Sequence, residues 1–94
     1  MRINLLARAE IEMDESAFYY DSQSIGLGSN FLSEVEHICG LISRNPKRFP
    51  KNFDGFREAP MRRFPFLIIY KIDKNDLYVT SVFHTRRNPS NKPK

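Results

Sequence analysis

Five side chains in the last third of the sequence carry groups that could do chemistry. They are four arginines and one histidine: Arg62, Arg63, His84, Arg86 and Arg87. A histidine exchanges a proton near neutral pH, and arginines stabilise negative charge that develops on a reacting group. Together they form the minimum equipment for metal-independent cleavage of RNA through its 2′-hydroxyl group. The alternative is an arginine rim that binds an acidic protein, with His84 as a structural residue at the end of a strand.

Two apolar runs must position these residues. Phe64 to Ile72 is apolar in both alternating sets, and Leu77 to His84 follows a polar turn. The pattern predicts an antiparallel hairpin whose first strand is central and covered on both faces. Because Arg63 precedes the first strand and His84 ends the second, both fall at the same end of the hairpin.

The remaining sequence predicts a strand at Ile3 to Leu6, two helices and an edge strand at Gly55 to Met61. The first helix, Arg8 to Tyr20, has an apolar face at spacings of four, four and three residues. The second begins at a cap supplied by Ser29 or Asn30 and ends near Ser43, before Pro46. Its apolar stripe consists of Phe31, Val35, Ile38 and Ile42. The predicted class is α+β, with an N-terminal strand, a helical hairpin and a three-stranded antiparallel sheet.

Composition limits the class of protein. The chain has 94 residues, 40% of them hydrophobic, which predicts a single globular domain over 1–94 with a flexible tail from about residue 88. No apolar run reaches membrane-spanning length, and the single cysteine, Cys39, fits a reducing compartment, so we expect a cytoplasmic protein. The sequence has one cysteine, and its two histidines, His37 and His84, are far apart, so we expect no metal site. It contains no phosphate-loop motif, so we expect no cofactor.

Charge is divided unevenly along the chain. Residues 1–43 contain two basic and seven acidic residues, whereas residues 44–94 contain thirteen basic and four acidic residues. This segregation predicts one face suited to an anionic partner. Arginine predominates in the hairpin region, and its planar guanidinium group suits carboxylates and phosphates.

Several short motifs occur together in a characteristic order. Gly26-Leu27-Gly28 comes first, then Asn45-Pro46 and Phe49-Pro50, then Arg63-Phe64-Pro65-Phe66, and finally Val82-Phe83-His84 with Arg86-Arg87. In this order the chain resembles the RelE/ParE family of toxins from bacterial type II toxin–antitoxin systems. The resemblance implies a compact α+β fold and a cognate antitoxin that binds the basic half of the chain. It implies contact with DNA only through that antitoxin.

The family contains two functional branches. ParE-like members inhibit DNA gyrase, whereas RelE-like and YoeB-like members cleave messenger RNA on the ribosome. The Phe-Pro-Phe segment and the C-terminal His-x-Arg-Arg-x-Pro motif resemble the ParE-like members more closely. Thr85 occupies the position at which YoeB-like toxins carry tyrosine. We therefore expect a gyrase inhibitor that is not an enzyme, with a ribosome-dependent endoribonuclease as the alternative. The resemblance then assigns catalysis, in the nuclease alternative alone, to Arg63, His84 and Arg86, and partner binding to Arg57, Arg62, Arg63, Arg86 and Arg87.

Overall fold

The structure is a computed structural model and describes residues 1–52 and 54–86. Its elements are β1 (Arg2–Leu5), α1 (Ala7–Gln23), α2 (Leu27–Arg44), β2 (Arg57–Pro60), β3 (Phe66–Asp73) and β4 (Asp76–His84). This order confirms the predicted α+β class. Arg87 and the predicted flexible tail lie outside the described residues. Within the described part of the chain, no helix is both long enough and apolar enough to cross a membrane.

The strands form one four-stranded sheet in the order β1-β4-β3-β2. The strands β2, β3 and β4 pair antiparallel with one another, as predicted, and β1 adds a fourth strand that pairs in parallel with β4. The alternating set of β3 that contains Phe66 and Ile68 is buried in the core, whereas in the other set Leu67 is half-buried and Lys71 is exposed, so the predicted cover on both faces is incomplete. Pro60 lies on the outer strand β2, where a missing backbone N–H group is tolerated.

Two strand starts were predicted too early. The expected strand from Phe64 begins at Phe66, because residues 61–65 form a compact turn in which the Met61 N–H donates to the Phe66 carbonyl at 2.9 Å. The expected edge strand from Gly55 begins at Arg57, because Gly55 takes a left-handed conformation with φ of 86°. Asn52 holds that second turn through its side-chain oxygen, which accepts the Asp54 and Phe56 N–H groups.

The helices pack their apolar faces against the sheet. Of the predicted face of α1, Ala9 and Ala17 are buried, and the whole predicted stripe of α2 is buried. An aromatic cluster joins the layers: the Phe31 ring of α2 lies 4.9 Å from the Phe66 ring of β3 and 5.5 Å from the Tyr20 ring of α1. The layers are thus held together by edge-to-face aromatic contacts as well as by buried aliphatic side chains.

The predicted cap of the second helix was wrong. Neither Ser29 nor Asn30 caps α2, because the helix begins at Leu27 and its N-cap is Gly26, with φ of 87°. The Asn30 N–H already donates to the Gly26 carbonyl as the first helical hydrogen bond. Gly28 lies inside α2 and is buried, and its N–H donates to Asp21 Oδ1 at 2.8 Å. The connection between the helices is therefore only three residues long.

A buried carboxylate joins α2 to the turn before β3. Glu34 is 9% exposed although it lies on the same face as Phe31 and Ile38. Its two oxygens accept the backbone N–H groups of Arg62 and Arg63, and the Arg63 Nε lies 3.7 Å from Oε1. Because hydrogen bonds to a charged group are the strong ones, this contact fixes the turn against the helix.

A second carboxylate protects the sheet where β1 ends. Beyond Val79 the outer edge of β4 no longer faces β1, and Glu12 of α1 takes that place. The Glu12 Oε1 atom accepts the Ser81 hydroxyl at 2.8 Å and the Val82 N–H at 3.0 Å. Ser81 and Val82 follow a β-bulge in β4 that lies opposite Ile69 and Tyr70. Without the Glu12 carboxylate, the Val82 N–H would be an unpaired backbone donor.

Replacement of Gly28 in α2 by a larger residue should destabilise the chain, whereas replacement of Gly40 on the same helix should not. A Cβ atom on Gly28 would overlap the backbone carbonyl oxygen of Ala17, and one on Gly40 would meet no atom within 4 Å. Gly28→Ala should lower the free energy of unfolding by about 1–3 kcal/mol through overpacking. Gly40→Ala should raise it by about 1 kcal/mol through helix propensity. Urea unfolding measures both, and equal effects of the two substitutions would contradict the close helix crossing.

Glu34→Gln should destabilise the chain by about 1–3 kcal/mol. The substitution keeps the shape of the side chain but removes the charge and turns one acceptor into a donor that faces backbone N–H groups. Glu36→Gln, on the exposed side of the same helix, is the control and should change stability by less than about 0.5 kcal/mol. If both variants unfold at the urea concentration of the unsubstituted chain, Glu34 does not hold the turn.

Candidate functional site

The backbone positions of Arg63 and His84 lie at the same end of the hairpin, as predicted. His84 pairs with Phe66, and the Thr85 N–H donates to the Pro65 carbonyl at 2.8 Å. The turn that carries Arg62 and Arg63 immediately precedes Pro65, so both arginines lie at the end of the sheet where β4 finishes. Arg86 is exposed at this same end.

The His84 imidazole is held in place by its neighbours. Its ring packs edge-to-face against Phe66, with the ring centroids 4.8 Å apart, and the side chain is half-buried. The Nδ1 atom accepts the backbone N–H of Arg86 at 3.1 Å. In the neutral imidazole the proton therefore lies on Nε2, and the lone pair on Nδ1 is occupied by the backbone. This arrangement suits a residue that closes the end of the strand.

The Arg63 side chain is directed towards the helices. Its Nε atom approaches the Glu34 carboxylate, and its Cζ atom lies 5.9 Å from the centre of the Phe64 ring. The guanidinium group is exposed apart from these contacts. Sequence reasoning grouped Arg63 with His84, whereas the structure groups it with a carboxylate on α2.

Arg62 and Arg63 border a groove of about 860 Å³ between α2 and the segments at 48–49 and 60–63. One wall is the α2 face formed by Ser33, Glu34, His37, Ile38 and Leu41, and the other consists of Arg48, Phe49 and the segment Pro60 to Arg63. We call this the cationic groove. Its floor contains Ile38, Phe49 and Met61, and its rim carries three guanidinium groups.

Arg48 is a rim residue that sequence reasoning missed. Its Cζ atom lies 5.7 Å from the centre of the Phe49 ring, so the cation stacks beside the apolar floor. Glu34 was missed as well. The sequence could have revealed its role, because Glu34 is a charged residue within the apolar stripe between Phe31 and Ile38. A charged side chain that is buried must have a polar partner.

Arg57, predicted to bind a partner, is engaged within the chain. Its Nη1 atom donates to the Phe49 carbonyl at 2.6 Å and to the Lys47 carbonyl at 3.4 Å. The Tyr70 hydroxyl donates to the Pro46 carbonyl at 2.7 Å, and burial raises the pKa of this phenol, so the hydroxyl keeps its proton. These two side chains fix the loop that carries Arg48 and Phe49.

The remaining groups that could react chemically include the thiol of Cys39. Burial, together with the charge of Glu36, raises the pKa of the Cys39 thiol to about 11, so the thiol is protonated and unreactive near neutral pH. Among the described residues, no group of three or more histidine, cysteine, aspartate or glutamate side chains could hold a metal ion.

Comparisons with known proteins agree with this description. The family model of the ParE toxin of type II toxin–antitoxin systems, parDE, matches residues 3–89. A solved structure from the chromosomal ParDE TA system of P. aeruginosa superposes with a TM-score of 0.67 at 14% identity, covering 89% of this chain and 95% of that chain. At this identity the superposition shows the shared fold. A search of curated proteins finds no match. Because the family model spans nearly the whole sequence, the chain belongs to the ParE toxin family of type II toxin–antitoxin systems.

Proposed function

We propose that the chain is a toxin that arrests growth by inhibiting DNA gyrase, acts in the cytoplasm without being an enzyme, and is neutralised by a cognate antitoxin. The observation that carries the proposal is its membership of the ParE toxin family over residues 3–89. The alternative, cleavage of messenger RNA on the ribosome, requires an acid–base pair and a cation around one scissile phosphate.

Two contacts favour gyrase inhibition over nuclease activity. The Nδ1 atom of His84 already accepts a backbone N–H, and the Arg63 Nε lies beside Glu34. A base that abstracts the proton of a 2′-hydroxyl needs a free lone pair, and the Arg63 guanidinium is held beside the α2 carboxylate rather than beside the imidazole. His84 and Arg63, two of the three proposed catalytic residues, are thus better explained by structural contacts within the chain.

The cationic groove is the proposed antitoxin site. Its apolar floor and its rim of Arg48, Arg62 and Arg63 fit an amphipathic segment with acidic flanks, the usual mode by which a helix lies in a groove. The outer edge of β2 is less available, because the Glu58 N–H donates to Pro50 and Lys51 bridges to Arg57. We include Arg86 in this surface, since it extends the positive charge along the same end of the sheet.

The first prediction of this proposal concerns gyrase directly. The purified chain should inhibit supercoiling of relaxed plasmid by gyrase, and His84→Ala should inhibit to within about twofold of the unsubstituted chain. Induction of either chain should arrest growth while leaving messenger RNA intact, as judged by primer extension. The physical reason is that His84 supports the strand end and takes no part in proton transfer.

Normal supercoiling at excess protein would refute gyrase as the target. Codon-specific breaks in translated messages, lost in His84→Ala, would establish the nuclease alternative instead. The two readouts therefore separate the two branches of the family.

The second prediction concerns the antitoxin, taken as the short acidic protein that we expect the adjacent reading frame to encode. Reversing two rim charges in Arg48→Glu with Arg62→Glu should weaken its affinity by at least about tenfold, mostly at low ionic strength. The matched control reverses two charges at the other end of the hairpin, in Lys71→Glu with Lys74→Glu. Titration calorimetry at two salt concentrations measures both, and equal losses for the two pairs would contradict the groove as the docking site.

A further inference from the structure

The outer side of α1 exposes large apolar side chains that the core does not use. Phe18 is 79% exposed, Ile11 is 57% exposed, and Ile25, in the turn after the helix, is 100% exposed. Ile11 and Phe18 are seven residues apart on the side of the helix opposite the buried Ala9 and Ala17, and Ile25 follows in the turn after the helix. Large apolar side chains exposed along one side of a helix are a feature of helices that bind a partner.

The same side of the helix carries acidic residues. Asp14 and Glu15 are exposed between Ile11 and Phe18, and α1 as a whole contains five carboxylates against the single basic residue Arg8. We call the set Ile11, Asp14, Glu15, Phe18 and Ile25 the outer α1 face. Its spacing of anchors, with acids between them, is that of an amphipathic helix that lies in a groove of a partner.

The charge selects the kind of partner. An acidic antitoxin is attracted by the arginine rim of the cationic groove and is repelled by the outer α1 face. Pairing of the outer α1 faces of two copies would bring their carboxylates together, and this repulsion opposes such a dimer. The face therefore fits a protein groove that is apolar inside and basic at its rim.

We propose that the outer α1 face is the surface by which the chain docks on gyrase, in an apolar groove with a basic rim. This inference rests on the proposed function, because it names the site for the proposed target. A protein that handles DNA presents extensive basic surface, which the carboxylates of α1 complement. Phe18 acts as the central anchor, since a large exposed aromatic side chain gains most when a partner buries it.

The antitoxin can neutralise the toxin without occupying the surface that binds gyrase. The chain measures only 39 × 29 × 23 Å, and α2 alone separates the cationic groove from α1. A gyrase subunit is much larger than this chain, so an antitoxin seated in the groove excludes it by overlap of volume.

The experiment replaces two anchors by serine, in Ile11→Ser with Phe18→Ser, and measures gyrase supercoiling in the presence of each purified chain. Because both side chains are exposed, the variant should keep the circular dichroism spectrum and melting temperature of the unsubstituted chain. The concentration that gives half-inhibition should rise by at least about tenfold. Affinity for the acidic protein of the adjacent reading frame should stay within about twofold.

Leu6→Ser is the matched control, because it removes an exposed apolar side chain at the N-cap of α1, outside the outer α1 face. It should leave half-inhibition unchanged. If the unsubstituted chain inhibits gyrase and the double variant inhibits equally well, the outer α1 face is not the docking site. A loss of antitoxin affinity in the double variant, or a dimer that it dissociates, would assign the face to another occupant and overturn the inference. If the unsubstituted chain does not inhibit gyrase, the proposed function itself fails and the inference fails with it.

Discussion

The contact between the Glu34 carboxylate and the backbone at Arg62 and Arg63 is the constraint on which the site depends. A buried carboxylate is stable only when it is fully hydrogen-bonded, and here the turn before β3 supplies the donors. The turn therefore cannot move away from α2 without leaving a buried charge unsatisfied. Within the described residues, no buried side-chain nitrogen or oxygen lacks a partner. One contact thus closes the helical layer onto the sheet and sets the position of two rim arginines.

The molecule that results has two faces of opposite charge. The cationic groove lies between α2 and the segments at 48–49 and 60–63, and the outer α1 face lies on the other helix with its exposed apolar side chains. Both faces combine an apolar centre with charged surroundings, which favours protein partners over small substrates. Under the proposed function, the cationic groove binds the antitoxin and the outer α1 face binds the target.

The hydrophobic periodicity of the sequence predicted the helices and strands of this fold, because burial in the core dictates that periodicity. The stripe from Phe31 to Ile42 and the apolar runs of the hairpin each have one face that must leave water, and the structure buries them. The partner of Arg63 could not be predicted in this way, because Glu34 is 29 residues away in sequence and only the packed structure joins them. The cap at Gly26 was missed because its left-handed backbone, rather than a side-chain oxygen, starts α2. The role of Arg57 as a loop clamp likewise depends on carbonyl groups whose direction no residue pattern encodes.

Hydrogen–deuterium exchange of the chain, alone and with each partner, shows whether the two partners bind separate faces. We expect the acidic protein of the adjacent reading frame to slow exchange in peptides that cover 33–41, 48–49 and 60–63. We expect gyrase to slow exchange in peptides that cover 11–25 and to leave the groove peptides unchanged. Protection of the same peptides by both partners, or no protection by gyrase, would contradict binding at two separate faces.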